Sequence, residues 1–285
     1  EYAALLERFA PAVESLPSLL GAFLAQRGHR LWVEGRYVEA EATLLRAVAA
    51  CEREGDTVNA AHAAFMLSWL YANAARYAES EDFGLRSLAH LRETPIPLFV
   101  TFANIGLLLT ALFQSRWEDA RHYGEQAREA GLAAEDDGMA SFAGAFLAWL
   151  HYEMGNDDQA ILEGRRALAL APTQYFRGWA ATFMAAAMAR AGDTDEAIGV
   201  LEQAVNYAEQ AGHLSGYALI ALLRAEARTH AGQFVLAARE AQSLRALVAT
   251  MPYPFVAAGA LQVQAECARR TGDEARAAAL FAAAA

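Results

Sequence analysis

A sevenfold internal repeat constrains the fold of this chain more than any other feature. Each copy consists of a small residue, any residue, an aromatic or polar residue, two further residues, and then Ala or Ser. The small residues that begin the copies are Gly35, Ala75, Ser115, Gly155, Gly192, Gly232 and Gly272. Five of the six intervals between them are 40 residues and the fourth is 37. A period of roughly 20 to 50 residues is typical of repeat arrays.

Each repeat has the pattern of two helices joined by a tight turn. An apolar helical stretch such as residues 60–74 precedes the small residue, and an amphipathic stretch such as residues 81–91 follows it. Small residues recur seven positions before the turn and twelve after it, where they permit close helix packing. We predict an all-α stack of about seven helix-turn-helix hairpins in a single domain over 1–285. Its parts are a half unit at 1–17 and repeats at 18–54, 55–94, 95–134, 135–171, 172–212, 213–251 and 252–285.

At these positions the sequence resembles the tetratricopeptide repeat (TPR) family over essentially its whole length. The matching features are the Gly-x-aromatic turn, the Ala three residues beyond the aromatic, the Ala seven residues later, and the closing Pro172. The common repeat has about 34 residues, whereas these units have 40, and Asp157, Thr194 and Glu274 replace the aromatic in three turns. Units of this length resemble the helical arms of large ATP-dependent bacterial regulators, including LuxR-type activators, and of multidomain signalling proteins. The resemblance implies a right-handed α-solenoid.

Composition and motifs argue against an enzyme. All 23 basic residues are Arg, so the chain has no lysine for a phosphate-binding loop or a Schiff base. Glycine-rich nucleotide loops, HExxH pairs and GxSxG elbows do not occur. No two of the seven histidines are three or four residues apart, which is the spacing that lets one helix present two imidazoles to a metal. We predict no catalytic activity, no cofactor and no metal.

The charge balance limits the classes of partner, and the cysteine content indicates the cellular compartment. A formal net charge of −11 repels phosphate backbones, so we expect no direct contact with nucleic acid. Two distant cysteines do not form a disulfide framework, which favours the cytoplasm. The uncharged residues 94–115 have the length of a membrane helix, but they include Pro95, Pro97 and Asn104 and lie in repeat register. We therefore predict a buried helix there and no membrane contact.

The resemblance also indicates which side chains face the concave groove of a TPR superhelix. Family geometry places there the positions thirteen, ten, six, three and two residues before the turn residue. The groove residues chosen from these positions are His62, Phe65, Trp69, Asn73, Phe102, Phe142, Trp149, Tyr152, Glu153, Trp179 and Arg190. Aromatic residues at helical spacing are also typical of a packed core. We expect Trp69, Trp149 and Trp179 each to expose part of their rings to the groove.

The turn aromatics have a different expected role from the groove residues. We predict that they belong to the core, and they are Tyr37, Tyr77, Trp117 and Phe234. The alanines that close the turns are also predicted to pack inside their hairpins.

The function that these observations favour is non-catalytic binding of a protein or peptide in the groove. Aromatic rings would supply apolar contact, while Arg190, Glu153 and Asn73 would fix orientation. The alternative is a sensor arm of an ATP-dependent transcriptional regulator, whose groove stacks on a small-molecule inducer. Because the pattern stops within the second helix of its seventh unit, we expect a larger regulatory protein. Flanking nucleotide-binding and DNA-binding segments would favour the sensor.

Overall fold

A computed structural model describes residues 8, 9, 13 and 16–284 of the chain. These residues form fourteen α-helices and no strand. The helices are α1 (Pro17–Val33), α2 (Tyr37–Glu54), α3 (Thr57–Asn73), α4 (Tyr77–His90), α5 (Pro97–Phe113), α6 (Trp117–Ala133), α7 (Asp137–Glu153), α8 (Asp157–Leu170), α9 (Gln174–Ala191), α10 (Thr194–Gln210), α11 (Leu214–His230), α12 (Phe234–Val248), α13 (Pro254–Arg270) and α14 (Glu274–Ala284). The predicted half unit at 1–17 falls almost wholly outside the described residues.

Consecutive helices pair into seven hairpins, so the all-α repeat fold is confirmed. We call the odd-numbered member of each pair its first helix and the even-numbered member its second helix. Every one of the seven predicted repeats contains one first helix and one second helix. The interval of 37 residues arises because α8 has only 14 residues and only three residues, 171–173, connect it to α9, whereas six residues, 91–96, follow the equally short α4.

The small residue of each turn is required by backbone conformation. All seven turn residues have positive φ, including Gly35 at 77° and, without the freedom of glycine, Ala75 at 57° and Ser115 at 56°. The residue after each of them donates its N–H to a carbonyl five residues earlier, as Arg36 does to Leu31 O at 2.9 Å. This is the Schellman arrangement, in which a left-handed residue ends the first helix and satisfies its last carbonyls.

Local sequence features also stabilise the N-termini of several helices. The side chains of Asp56 and Asp136 accept hydrogen bonds from the backbone N–H groups of Asn59 and Met139, both at 3.0 Å. These contacts satisfy N–H groups that have no partner inside the helix. Pro97 stands in the first turn of α5, where a missing N–H costs nothing.

Small side chains pack where the repeat places them. The alanines that close the turns, Ala120, Ala160, Ala197 and Ala237, are fully buried, which confirms their predicted position. Glycines permit the closest approaches: a Cβ at Gly28 would lie 2.5 Å from the Leu44 side chain, and one at Gly164 would lie 2.5 Å from Met184. At these two glycines, one within a hairpin and one between hairpins, the helices pack too closely to admit a larger residue.

The prediction for the turn aromatics is only partly right. Tyr37 is buried, but Tyr77, Trp117 and Phe234 are only half-buried. All four residues begin a second helix, so this shared position does not by itself decide how far each ring is buried.

By its internal contacts the chain divides into two compact units. Unit 1 comprises residues 1–134, with α1 to α6, and unit 2 comprises residues 135–285, with α7 to α14. Each hairpin of a repeat array contacts mainly its neighbours. A regular repeat in the sequence is therefore compatible with two compact units. Over the residues described, no helix combines the length and apolarity needed to cross a membrane.

Candidate functional site

In unit 1 the predicted groove residues are mostly buried. Neighbouring first helices place their rings against one another, so His62 contacts Phe99 at 5.2 Å and Phe65 contacts Phe102 at 5.3 Å between ring centroids. The indole N–H of Trp69 donates to the Phe102 carbonyl at 2.8 Å. Trp69 is 8% exposed, and Phe102 is half-buried. The aromatic rings of this unit therefore pack one hairpin onto the next.

His62 is a neutral histidine inside this aromatic layer. Burial, together with the nearby His29, lowers the pKa of His62 to about 4. Its Nδ1 atom is buried without a hydrogen-bond partner. Asn73, the last residue of α3, is also buried. Neither side chain is exposed to a ligand in this conformation.

In unit 2, the predicted groove residues Phe142 and Trp149 are buried more completely than those of unit 1. Trp149 is 1% exposed, so the expectation that its ring reaches solvent is wrong. The ring lies parallel to Phe183 of α9 at 4.9 Å and meets Phe255 of α13 edge-on at 5.7 Å. First helices of three different hairpins thus enclose it. Phe142 is likewise buried, whereas Trp179 remains half-buried.

Four polar side chains come together beside Trp149, and we call them the inner polar cluster: Tyr152, Glu153, Arg190 and Glu226. The Tyr152 hydroxyl donates to Glu226 Oε2 at 2.8 Å, which joins α7 to α11. The Trp149 indole N–H donates to Glu153 Oε1 at 2.7 Å. Three of the four were predicted as groove residues, and here the structure does bring them together.

Arg190 is held in place by α7 and α8. Its guanidinium donates to both carboxylate oxygens of Asp157, at 2.6 to 3.0 Å, and to the Tyr152 carbonyl at 2.5 Å. It also lies 4.0 Å above the Tyr152 ring. A bidentate pair of this kind fixes orientation and neutralises the charge of Arg190.

The two carboxylates of the cluster lack a comparable counter-charge. Both accept from neutral donors, an indole for Glu153 and a phenol for Glu226. Burial and the charge of Glu153 raise the pKa of Glu226 to about 7. Burial also raises the pKa of Glu153 and, well above its usual range, that of Tyr152. Because Glu153, Arg190 and Glu226 are only half-buried, the cluster remains open to solvent on one side.

Glu226 lies at a predicted groove position but was not among the chosen site residues, and Phe255 was not predicted at all. Glu226 stands six residues before its turn residue, the position that Trp149 occupies in its own repeat, so the register does identify it. Phe255 belongs to the start of α13, outside the positions considered, and gives no such signal. Among the residues that the structure describes, no group of three His, Cys, Asp or Glu side chains is placed to hold a metal ion.

No protein-family model matches the sequence. No curated protein is significantly similar to it. Solved structures do share its fold. A Rap protein complexed with competence and sporulation factor superposes with a TM-score of 0.76 at 15% identity, covering 93% of this chain and 74% of the Rap chain. The apo form of the quorum sensor NprR from B. thuringiensis superposes at 0.61 with 14% identity, covering 98% of this chain and 79% of NprR.

A signal transduction ATPase (STAND) protein with a TPR sensor, from Pyrococcus horikoshii, superposes with a TM-score of 0.56 at 14% identity. It covers 99% of this chain, which corresponds to 43% of that protein. The fold is therefore a TPR-like helical repeat, as the sequence predicts.

Proposed function

We propose that this chain is a non-catalytic scaffold that binds a peptide segment of a partner at the inner polar cluster of unit 2. The observation that carries the proposal is the pair of half-buried carboxylates, Glu153 and Glu226, beside the buried Trp149 ring on the first helices of unit 2. Peptide recognition needs polar groups that fix orientation within an apolar surface. The cluster supplies such groups.

The charges of the cluster define the class of peptide. Asp157 already pairs with Arg190, so Arg190 offsets the negative charge of Glu153 and Glu226 only in part. A basic side chain or a free N-terminal ammonium group would offset it and restore charge-assisted hydrogen bonds. We infer a peptide that presents one cationic group, flanked by apolar residues.

Two of the solved structures support a peptide as the ligand class. The Rap protein is complexed with competence and sporulation factor, and NprR is a quorum sensor. At 14 to 15% identity these similarities concern the fold, so the binding residues named above rest on this chain alone. We infer a regulatory role within a larger cytoplasmic protein.

A positional-scanning library of labelled hexapeptides tests the proposal. The full chain should select peptides with a basic residue or a free N-terminus, and Glu226→Gln should weaken that binding at least tenfold. The matched control Glu209→Gln, at an exposed position of α10, should leave binding unchanged. Absence of selection by the wild-type chain, or equal binding by Glu226→Gln, would exclude the cluster as the site.

A second candidate is the small-molecule sensor arm of an ATP-dependent transcriptional regulator. The STAND protein with a TPR sensor favours it, because nearly all of this chain superposes on less than half of that protein. An inducer that stabilises the chain against unfolding, in the absence of any peptide selection, would favour the sensor over the peptide scaffold.

A further inference from the structure

A row of basic side chains continues from the inner polar cluster toward the last hairpin of unit 2. Arg190, His230 and Arg270 each stand two residues before a turn residue, at the same register position of α9, α11 and α13. Partial burial and the charges of Arg190 and Arg270 lower the pKa of His230. The three side chains therefore lie within electrostatic range of one another, along one face of unit 2.

Arg270 differs from Arg190 in having free hydrogen-bond donors. Asp157 occupies the guanidinium of Arg190 with both carboxylate oxygens. Arg270 donates only through Nε, to Glu266 Oε1 at 2.8 Å. Within the part of the chain that the structure describes, neither Nη group of Arg270 donates a hydrogen bond, and 58% of its side chain is exposed. These two Nη groups are available to a ligand.

Glu266 is shared between two guanidinium groups. It accepts the Arg270 hydrogen bond and two more from Arg269, through Nε at 2.8 Å and Nη2 at 2.6 Å. Hydrogen bonds from Arg269 and Arg270 lower the pKa of Glu266 to about 2, so its carboxylate stays ionised. One carboxylate against two guanidinium groups leaves a net positive charge at the end of α13. Both arginines are exposed, so an anion in solution can reach this charge.

His230 supplies a further donor next to Arg270. Its imidazole is partly exposed, and neither ring nitrogen has a hydrogen-bond partner among the described residues. A neutral imidazole carries one N–H group that can donate. An anion held by the Nη groups of Arg270 would accept this hydrogen bond as well.

The positive end of α13 lies close to the carboxylates of the inner polar cluster. Glu226 and Arg270 stand on α11 and α13, which are first helices in contact, and they differ by about one helical turn in register. With helix axes about 8–10 Å apart and about 5.4 Å per turn, the two positions are about 10 Å apart. An extended peptide covers about 10 Å with about three residues. One short peptide can therefore reach both positions.

We propose that the peptide bound at the inner polar cluster also presents a carboxylate, which binds between Arg270 and His230. The two Nη groups of a guanidinium match the two oxygens of a carboxylate. The opposite charges at Glu226 and Arg270 fix the direction of the peptide along the face. This inference rests on the proposed function and adds a second contact for the same ligand.

The hexapeptide library tests the proposal when it is made in two forms, with a free C-terminal carboxylate and with a C-terminal amide. If the bound carboxylate is the C-terminus, the wild-type chain should bind the selected peptides at least fivefold more tightly in the free form. If it is a side chain, both forms should select Asp or Glu over Asn or Gln, about three residues from the cation. The two forms therefore identify the source of the carboxylate.

Two arginine substitutions make a matched pair. Arg270→Gln removes the free Nη groups, whereas Arg276→Gln changes an exposed arginine of α14 that is not in this row. The preference for a carboxylate should disappear in Arg270→Gln and persist in Arg276→Gln. Both variants should unfold close to the wild-type temperature, because both side chains lie on the surface.

Two results would overturn the carboxylate site. They are equal binding of the two library forms without selection of acidic residues, and a carboxylate preference that Arg270→Gln retains. The Glu226→Gln variant separates this failure from that of the proposed function. Peptides that lose affinity for Glu226→Gln but show no carboxylate preference exclude the anion site alone. Peptides that bind Glu226→Gln as tightly as the wild type exclude the cation site, and this inference with it.

Discussion

Replacing Glu226 with Gln should remove a pH dependence that this one carboxyl imposes on the stability of unit 2. The substitution is close to isosteric, and the amide oxygen can still accept the Tyr152 hydroxyl that Glu226 accepts at 2.8 Å. What it removes is the negative charge. The variant therefore separates the electrostatic contribution of Glu226 from its packing.

The sign and the magnitude follow from the pKa of Glu226. Burial raises this pKa from 4.5 to about 7. The folded chain therefore binds the proton more tightly than the unfolded chain, so the stability from this group is complete below pH 4.5 and is lost as the pH rises through 7. Because one pKa unit corresponds to about 1.4 kcal/mol, the loss is about 3 kcal/mol.

Urea unfolding followed by circular dichroism at pH 5 and pH 8 measures this effect. The free energy of unfolding of Glu226→Gln, minus that of the wild type, should be about 2.5 kcal/mol more favourable at pH 8 than at pH 5, since part of the loss already occurs between pH 4.5 and pH 5. Taking the difference cancels the carboxyls that both chains share. The exposed control Glu209→Gln should show no such change. Parallel pH profiles for Glu226→Gln and the wild type would refute a buried, uncompensated charge at this position.

Three further substitutions test the packing. Trp149→Ala should lower stability by about 3–5 kcal/mol in thermal unfolding, because the enclosed ring would leave a large cavity, and a loss below 1 kcal/mol would contradict its burial. Ala160→Leu should cost about 1–3 kcal/mol by overpacking a turn, and unchanged stability would show that the repeat register is wrong. Ala75→Gly should stabilise by about 0.5–1 kcal/mol, because φ is 57° there, while the adjacent control Ala74→Gly, at −87°, should destabilise. Equal effects of the two glycines would refute the strain at Ala75.

The hairpins could be predicted from the sequence because their determinants are local. A residue with positive φ in each turn demands Gly or tolerates Ala and Ser, and this demand recurs with the repeat. The burial of the turn aromatics, in contrast, is not determined by the local sequence. Tyr37 and Tyr77 occupy the same register position, yet only Tyr37 is buried. Their exposure depends on what surrounds each hairpin end, which the repeat pattern does not specify.

The candidate site was harder to predict for a related reason. Trp149 and Glu153 share a helix and a face, but the ring is enclosed while the carboxylate stays half-exposed. That difference comes from Phe183 and Phe255, which cover Trp149 from α9 and α13. The contact between Trp149 and Phe255, which are about 100 positions apart, leaves no trace in a 40-residue period. The same holds for Glu226, whose partner Tyr152 lies two hairpins away.

The most direct test of peptide binding at the inner polar cluster is the affinity, at pH 6 and pH 8, of a selected peptide whose only cation is an Arg or Lys side chain, which stays charged at both. With the pKa of Glu226 near 7, about a tenth of this carboxyl is ionised at pH 6 and about nine tenths at pH 8. The wild-type chain should therefore bind the peptide about tenfold more tightly at pH 8, and Glu226→Gln should bind it weakly and equally at both. Tight binding by the wild type with no change between pH 6 and pH 8 would contradict a site built on Glu226.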